Sequence, residues 1–124
     1  MDRFILISLG AILGANARYW VGDWIAQRAG TSFPFGTLVI NLSGSLILGL
    51  FFTLTTDRFL VDPRWRLLVA IGFLGAYTTF SSYTYESVSL MLSGQWLLGG
   101  ANLFGSAILG AAAMAAGILI ARAI

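Results

Sequence analysis

Four long apolar stretches, residues 4–25, 35–55, 67–92 and 96–120, alternate with short polar segments that hold most of the charge and the turn-forming residues. Each stretch has 21 to 26 residues. At about 1.5 Å per residue they reach roughly 32–39 Å as helices, enough to cross a hydrocarbon core of about 30 Å with some tilt. The first connection holds Arg28, Gly30 and Pro34, and the second holds Asp57, Arg58, Asp62, Pro63, Arg64 and Arg66. The third is only Ser93-Gly94-Gln95, so the last two helices must form an antiparallel hairpin. Trp20, Trp24, Trp65 and Trp96 fall near helix ends, where indole favours the membrane interface. The pattern predicts an all-α integral membrane protein, one domain over residues 1–124, with four transmembrane helices.

The apolar start, followed by Ala15-Asn16-Ala17, has some of the marks of a cleavable leader. The apolar run resumes after Arg18, however, and everything downstream is membrane-like, so the first span is expected to be retained. Five arginines (Arg3, Arg58, Arg64, Arg66 and Arg122) fall on the side of the termini, against Arg28 and at most Arg18 on the other. The positive-inside rule therefore favours cytoplasmic termini.

Composition narrows the function. Of 124 residues 58% are hydrophobic and 10% charged, too few to clothe a small soluble domain. The chain has no cysteine, histidine or lysine, which removes thiol and imidazole catalysis, Schiff-base chemistry and the usual transition-metal ligands. An enzyme is not expected. The arginines are scattered, so nucleic-acid binding is not indicated either.

The remaining signal is polarity inside the spans. Asn41 lies well within the second stretch, and its amide needs a partner there. It either bonds to another helix or donates to an anion path. The third stretch carries Gly72-Phe73-Leu74-Gly75-Ala76-Tyr77-Thr78-Thr79-Phe80-Ser81-Ser82-Tyr83-Thr84-Tyr85-Glu86, a run of hydroxyls with one carboxyl. Irregular backbone at membrane depth is tolerated only where it faces protein or a cavity, so a break near residues 75–79 is expected, with freed carbonyls able to hold a hard cation such as Na⁺. Phe80, Ser81 and Tyr83 follow it. An aromatic ring has a positive edge, and ring edges, hydroxyls and amides hold a small anion more weakly than a full charge would, which suits passage. Asn102 and Ser106 share a face of the fourth span. Arg18, Asp23 and Glu86 lie inside or near span ends, as snorkelling groups or as a charged vestibule. Small pairs at four-residue spacing, Gly10/Gly14, Ala101/Gly105 and Ala113/Gly117, predict close helix contact, within a subunit or between two.

Three segments, Gly14-Ala15-Asn16-Ala17-Arg18-Tyr19, Asn41-Leu42-Ser43-Gly44 and Gly72 to Ser81, resemble in order the hallmark segments of the Fluc/CrcB fluoride channels. The resemblance implies a fluoride-selective passive channel in the bacterial inner membrane that exports fluoride and relieves its toxicity. It also implies an antiparallel, dual-topology homodimer with two pores. On that pattern Asn41, Phe80 and Tyr83 line each pore, Thr79, Ser81, Ser82, Asn102 and Ser106 form a polar track, and Thr37 and Arg18 contribute at the pore side or vestibule. Backbone carbonyls of Gly75 and Thr78 from both subunits would hold one structural Na⁺ at the dimer centre. Two positions depart from the pattern: Tyr83 stands where the family usually has phenylalanine, and Asn102 where it commonly has tyrosine. The Tyr83 hydroxyl could bind fluoride or bond away and turn the ring. A small multidrug exporter, the main rival, would need a glutamate in the first span, which this chain lacks.

Overall fold

The computed structural model describes residues 2–59 and 61–124. The side chain of Arg58, one of the arginines counted for orientation, lies outside the described part. Among the described residues, four helices long and apolar enough to cross a membrane run over Asp2–Ala29, Phe35–Asp57, Pro63–Leu92 and Trp96–Ala123. All four extend beyond the apolar stretches at one end or both, because flanking residues continue the helix. Asp2 in the first turn and Arg28 in the last complement the helix dipole. Arg28 also donates to the Trp24 carbonyl and lies 4.0 Å over its ring, closing that end of the first span. At the second connection Arg66 donates to the Thr55 carbonyl at 2.8 Å, capping the second span, while the Asp62 carboxylate accepts from Arg64 N–H and Pro63 opens the third. Gly94 takes a positive φ of 86° in the three-residue hairpin, a conformation that favours glycine.

Close backbone approach explains several of the small residues. A Cβ at Gly10 would fall 2.1 Å from the Leu68 carbonyl oxygen, and one at Gly14 2.1 Å from that of Phe73. The Gly10/Gly14 pair therefore docks the first span against the third within one subunit. Gly117 meets Leu46 O and Gly49 meets Met114 O in the same way, joining the fourth span to the second. Gly99 meets Ser87 O across the hairpin, whereas nothing stands within 4 Å of a Cβ at Gly105.

The third span is not uniform. It opens with Pro63–Trp65, continues as a wide π-helical stretch over Arg66–Leu74 and returns to α geometry at Gly75–Tyr77. Thr78 (φ −77°, ψ 157°) and Thr79 (φ −149°, ψ 124°) are extended, and α-helix resumes at Phe80–Leu92. Its first part packs on the first span, and the part after Thr79 packs mainly on the start of the fourth.

Candidate functional site

An extended pair of residues inside an apolar bundle leaves backbone groups without helical partners, and Asn41 supplies two of them. Thr79 N–H donates to Asn41 Oδ1 at 2.7 Å, and Asn41 Nδ2 donates to Thr79 O at 2.8 Å. The pairing fixes the amide orientation, since a backbone N–H can only donate to the oxygen. Thr79 then starts the next helix: its hydroxyl accepts from Ser82 N–H at 3.3 Å and donates to Ser82 Oγ at 3.1 Å, with Ser81 Oγ 3.4 Å away. Gly44, one turn beyond Asn41, lets Thr78 approach, because a Cβ there would lie 2.2 Å from Thr78 Cγ2.

Two cavities meet at Thr79. The smaller, about 310 Å³, is lined by Asn41, Ser45, Thr79, Phe80, Tyr83 and Ser106 among others, with Thr78 at its wall. The Phe80 and Tyr83 ring centroids stand 5.6 Å apart at 56°. Phe80 is 77% exposed and Tyr83 only 8%. The Tyr83 hydroxyl donates across the bundle to the carbonyl oxygen of Leu103. The larger cavity, about 700 Å³, is lined by Arg18, Thr37, Thr79, Ser82 and Glu86 together with apolar and aromatic groups. There Thr37 donates to Glu86 Oε1 at 2.7 Å, and among the described residues the buried Oε2 has no hydrogen-bond partner.

The structure thus gathers Asn41, Phe80, Tyr83, Thr79 and Ser106 at one cavity and Arg18, Thr37 and Ser82 with Thr79 at the other. Ser81 is exposed beside Thr79 and outside both linings. Asn102 is 1% exposed and faces the hairpin interior. It donates to Ser87 Oγ at 2.8 Å and accepts from Ser106 at 3.0 Å, while Ser87 donates to the Tyr83 carbonyl at 2.8 Å. Gly75 sits at the end of the helix before Thr78. The N–H that would close an α-helical bond to its carbonyl belongs to Thr79 and is given to Asn41. Ser45 and Glu86 join the candidates. Ser45 follows Thr37 and Asn41 at the same four-residue step, which was the signal for it, and Glu86, one of the charges read from the sequence as snorkelling or vestibule groups, lines the larger cavity.

Comparison with known proteins is consistent along the whole chain. The family model described as "CrcB-like protein, Camphor Resistance (CrcB)" matches residues 5–118. A protein named "Fluoride-specific ion channel FluC" from Koribacter versatilis (strain Ellin345) is 53% identical over 119 residues, 95% of this chain and 94% of that one. Proteins of the same name from Solibacter usitatus (strain Ellin6076) and Synechococcus sp. (strain JA-2-3B'a(2-13)) are 46% and 47% identical, covering 97% and 94% of this chain and 98% and 89% of their own.

Proposed function

The chain belongs to the CrcB-like family, and from that premise we propose that it is a fluoride-specific ion channel, a multi-pass protein of the bacterial membrane. It is not an enzyme: it lets fluoride run down its electrochemical gradient and so keeps the cytoplasm from accumulating it. The observation that carries the site assignment is the paired contact of Asn41 with the Thr79 backbone beside the Phe80 and Tyr83 rings.

The chemistry follows from donor count. Asn41 Nδ2 has two hydrogens, and Thr79 O takes one, so the second is available to an anion in the smaller cavity. The positive ring edges of Phe80 and Tyr83 add further weak donors, while the Ser106 hydroxyl, its proton given to Asn102, contributes only polarity to the wall. Together they replace hydration in small steps without the deep trap of a fixed cation. Thr37, Ser82 and Arg18 line the approach from the larger cavity, with Ser81 outside the lining beside Thr79.

The assembly we propose is an antiparallel homodimer of dual topology carrying two pores, with the extended Thr78–Thr79 pair as a break in the third span. Support comes from the exposed Phe80 ring and from the helix end at Tyr77, whose carbonyls include those of Gly75 and Thr78. Neutral backbone oxygens at a helix C-terminus are a donor set that fits a hard monovalent cation. Gly75 and Thr78 of both subunits would hold a structural Na⁺, which would neutralise the facing helix ends and lock the dimer.

The test is reconstitution in liposomes loaded with fluoride or chloride, with valinomycin relieving the charge imbalance and ion-selective electrodes reading efflux. Rapid fluoride efflux with negligible chloride efflux is expected. A folded, reconstituted protein that passes no fluoride would overturn the reading.

A further inference from the structure

Tyr83 differs from the other groups at the smaller cavity because its polar atom faces away from it. The phenol donates to Leu103 O, which lies in a π-helical turn, Ala101–Gly105, of the fourth span. In a π turn the carbonyl ladder is offset, and a side-chain donor can enter it. We infer that the Tyr83 hydroxyl is a positioning group that ties its ring to the fourth span, and that fluoride meets the ring edge and not the hydroxyl. The inference rests on the channel reading and assigns a role within that same site.

The geometry of a tyrosine makes this tie effective. Its Cβ and Oη both lie on the ring axis, so holding the oxygen at Leu103 and the Cα in the helix Phe80–Leu92 fixes the direction of that axis. The ring can still flip about the axis, but a flip regenerates the same ring. What is forbidden is the χ1 swing that would carry the edge out of the cavity. Ser87 and Asn102 brace the same seam one turn along. Asn102 Nδ2 holds Ser87 Oγ, and Ser87 Oγ holds the Tyr83 carbonyl, so both the backbone and the phenol of Tyr83 are bonded toward the fourth span. A phenylalanine here would leave Leu103 O without this donor and the ring axis held at one end only.

The experiment uses the full-length protein in liposomes with tyrosine labelled by ¹³C at Cζ, the carbon that reports the partner of the phenol. The four tyrosines give four resonances, and the one lost in Tyr83→Phe identifies Tyr83. Fluoride titration is expected to leave that resonance in place, and a shift with fluoride would overturn the inference in favour of direct ligation. Fluoride efflux in Tyr83→Phe is expected to fall about tenfold, the scale of one lost hydrogen bond, and to recover with 4-aminophenylalanine, which restores a donor on the ring axis. Unchanged efflux in Tyr83→Phe would also overturn it. Should Tyr83→Phe fail to fold, the tyrosine resonance is assigned from Tyr19, Tyr77 and Tyr85 variants and the titration of the wild-type ring still decides. Absence of fluoride efflux from the wild type would overturn the channel reading and with it the contact of fluoride with the ring edge, whereas efflux with a fluoride-sensitive Tyr83 resonance would overturn the inference and leave the channel reading standing.

Discussion

Replacing Asn41 with alanine removes the acceptor of Thr79 N–H and the donor to Thr79 O, at 2.7 and 2.8 Å, from a residue only 9% exposed; the N–H is left without a partner, while the N-cap carbonyl keeps the first bond of the helix Phe80–Leu92. Two scales bear on the size of the loss. A buried donor or acceptor left unsatisfied costs about 1–3 kcal/mol, whereas hydrogen bonds between membrane helices average about 0.6 and reach about 1.7 kcal/mol. The lower scale applies when freed groups find new partners. Here the freed group is the backbone N–H of an extended segment, and a new helical partner for it would require re-forming the helix through Thr78 and Thr79, away from the seat that Thr78 has against Gly44. The loss is therefore about 1–2 kcal/mol for the N–H left unsatisfied and about 0.6 kcal/mol for the second bond to the carbonyl, about 2 kcal/mol together. Unfolding in mixed micelles by graded denaturing detergent measures it, and efflux on the same preparation should show fluoride flux falling by at least about a hundredfold, since both the lining and one donor are lost. Stability of Asn41→Ala within about 0.5 kcal/mol of wild type would refute the reasoning, because it would mean that the amide does not hold Thr79.

Phe80→Ala should separate function from folding: its ring is 77% exposed in the subunit, so subunit stability should change by less than about 0.5 kcal/mol while fluoride efflux is strongly reduced. Gly14→Ala should destabilise the subunit by about 1–3 kcal/mol or more, read as a lowered Tm in detergent, because its Cβ would meet Phe73 O at 2.1 Å. Glu86→Gln keeps an acceptor for Thr37 and removes a negative charge from the larger cavity. Fluoride efflux should rise about two- to fivefold at low ionic strength, with the gain fading in high salt, and a decrease would place the carboxylate on the conducting side.

The four helices were legible in the chain because lipid imposes a length and an apolar content that few other structures share. Their partners were not. The Gly10/Gly14 spacing announces a close approach but says nothing about which helix approaches, and the answer, the Leu68 and Phe73 carbonyls, rests on how the third span leans. Asn41 is conspicuous as an amide in an apolar stretch, yet its partner is 38 residues away and is a backbone group, which carries no side-chain signature. Asn102 shows the limit from the other side. A buried amide reads alike whether it lines a path or knits a hairpin, and here the Ser87 and Ser106 hydroxyls occupy both of its ends.

The extended pair Thr78–Thr79 accounts for why the groups proposed to meet an anion and those proposed to hold a cation stand so near each other. A continuous helix buries its dipole within its own ladder; interrupted, it presents two new ends. The end at Gly75–Tyr77 exposes carbonyls, suited to a cation, and the start at Phe80–Leu92 directs N–H groups and a partial positive charge toward the side where Phe80 and Tyr83 stand. The same two residues let the third span change neighbours, from the first span before the interruption to the fourth after it, which brings Ser106 and the Leu103 carbonyl within reach of Tyr83. Asn41 stabilises that geometry by taking the Thr79 N–H, which an unbroken helix would give to the Gly75 carbonyl, and by a second bond to the Thr79 carbonyl. The anion path and the cation seat proposed above, with the observed change of packing partner, are on this argument three consequences of one local conformation. A variant that heals the helix should therefore lose fluoride flux and Na⁺-dependent dimer stability together and not one at a time.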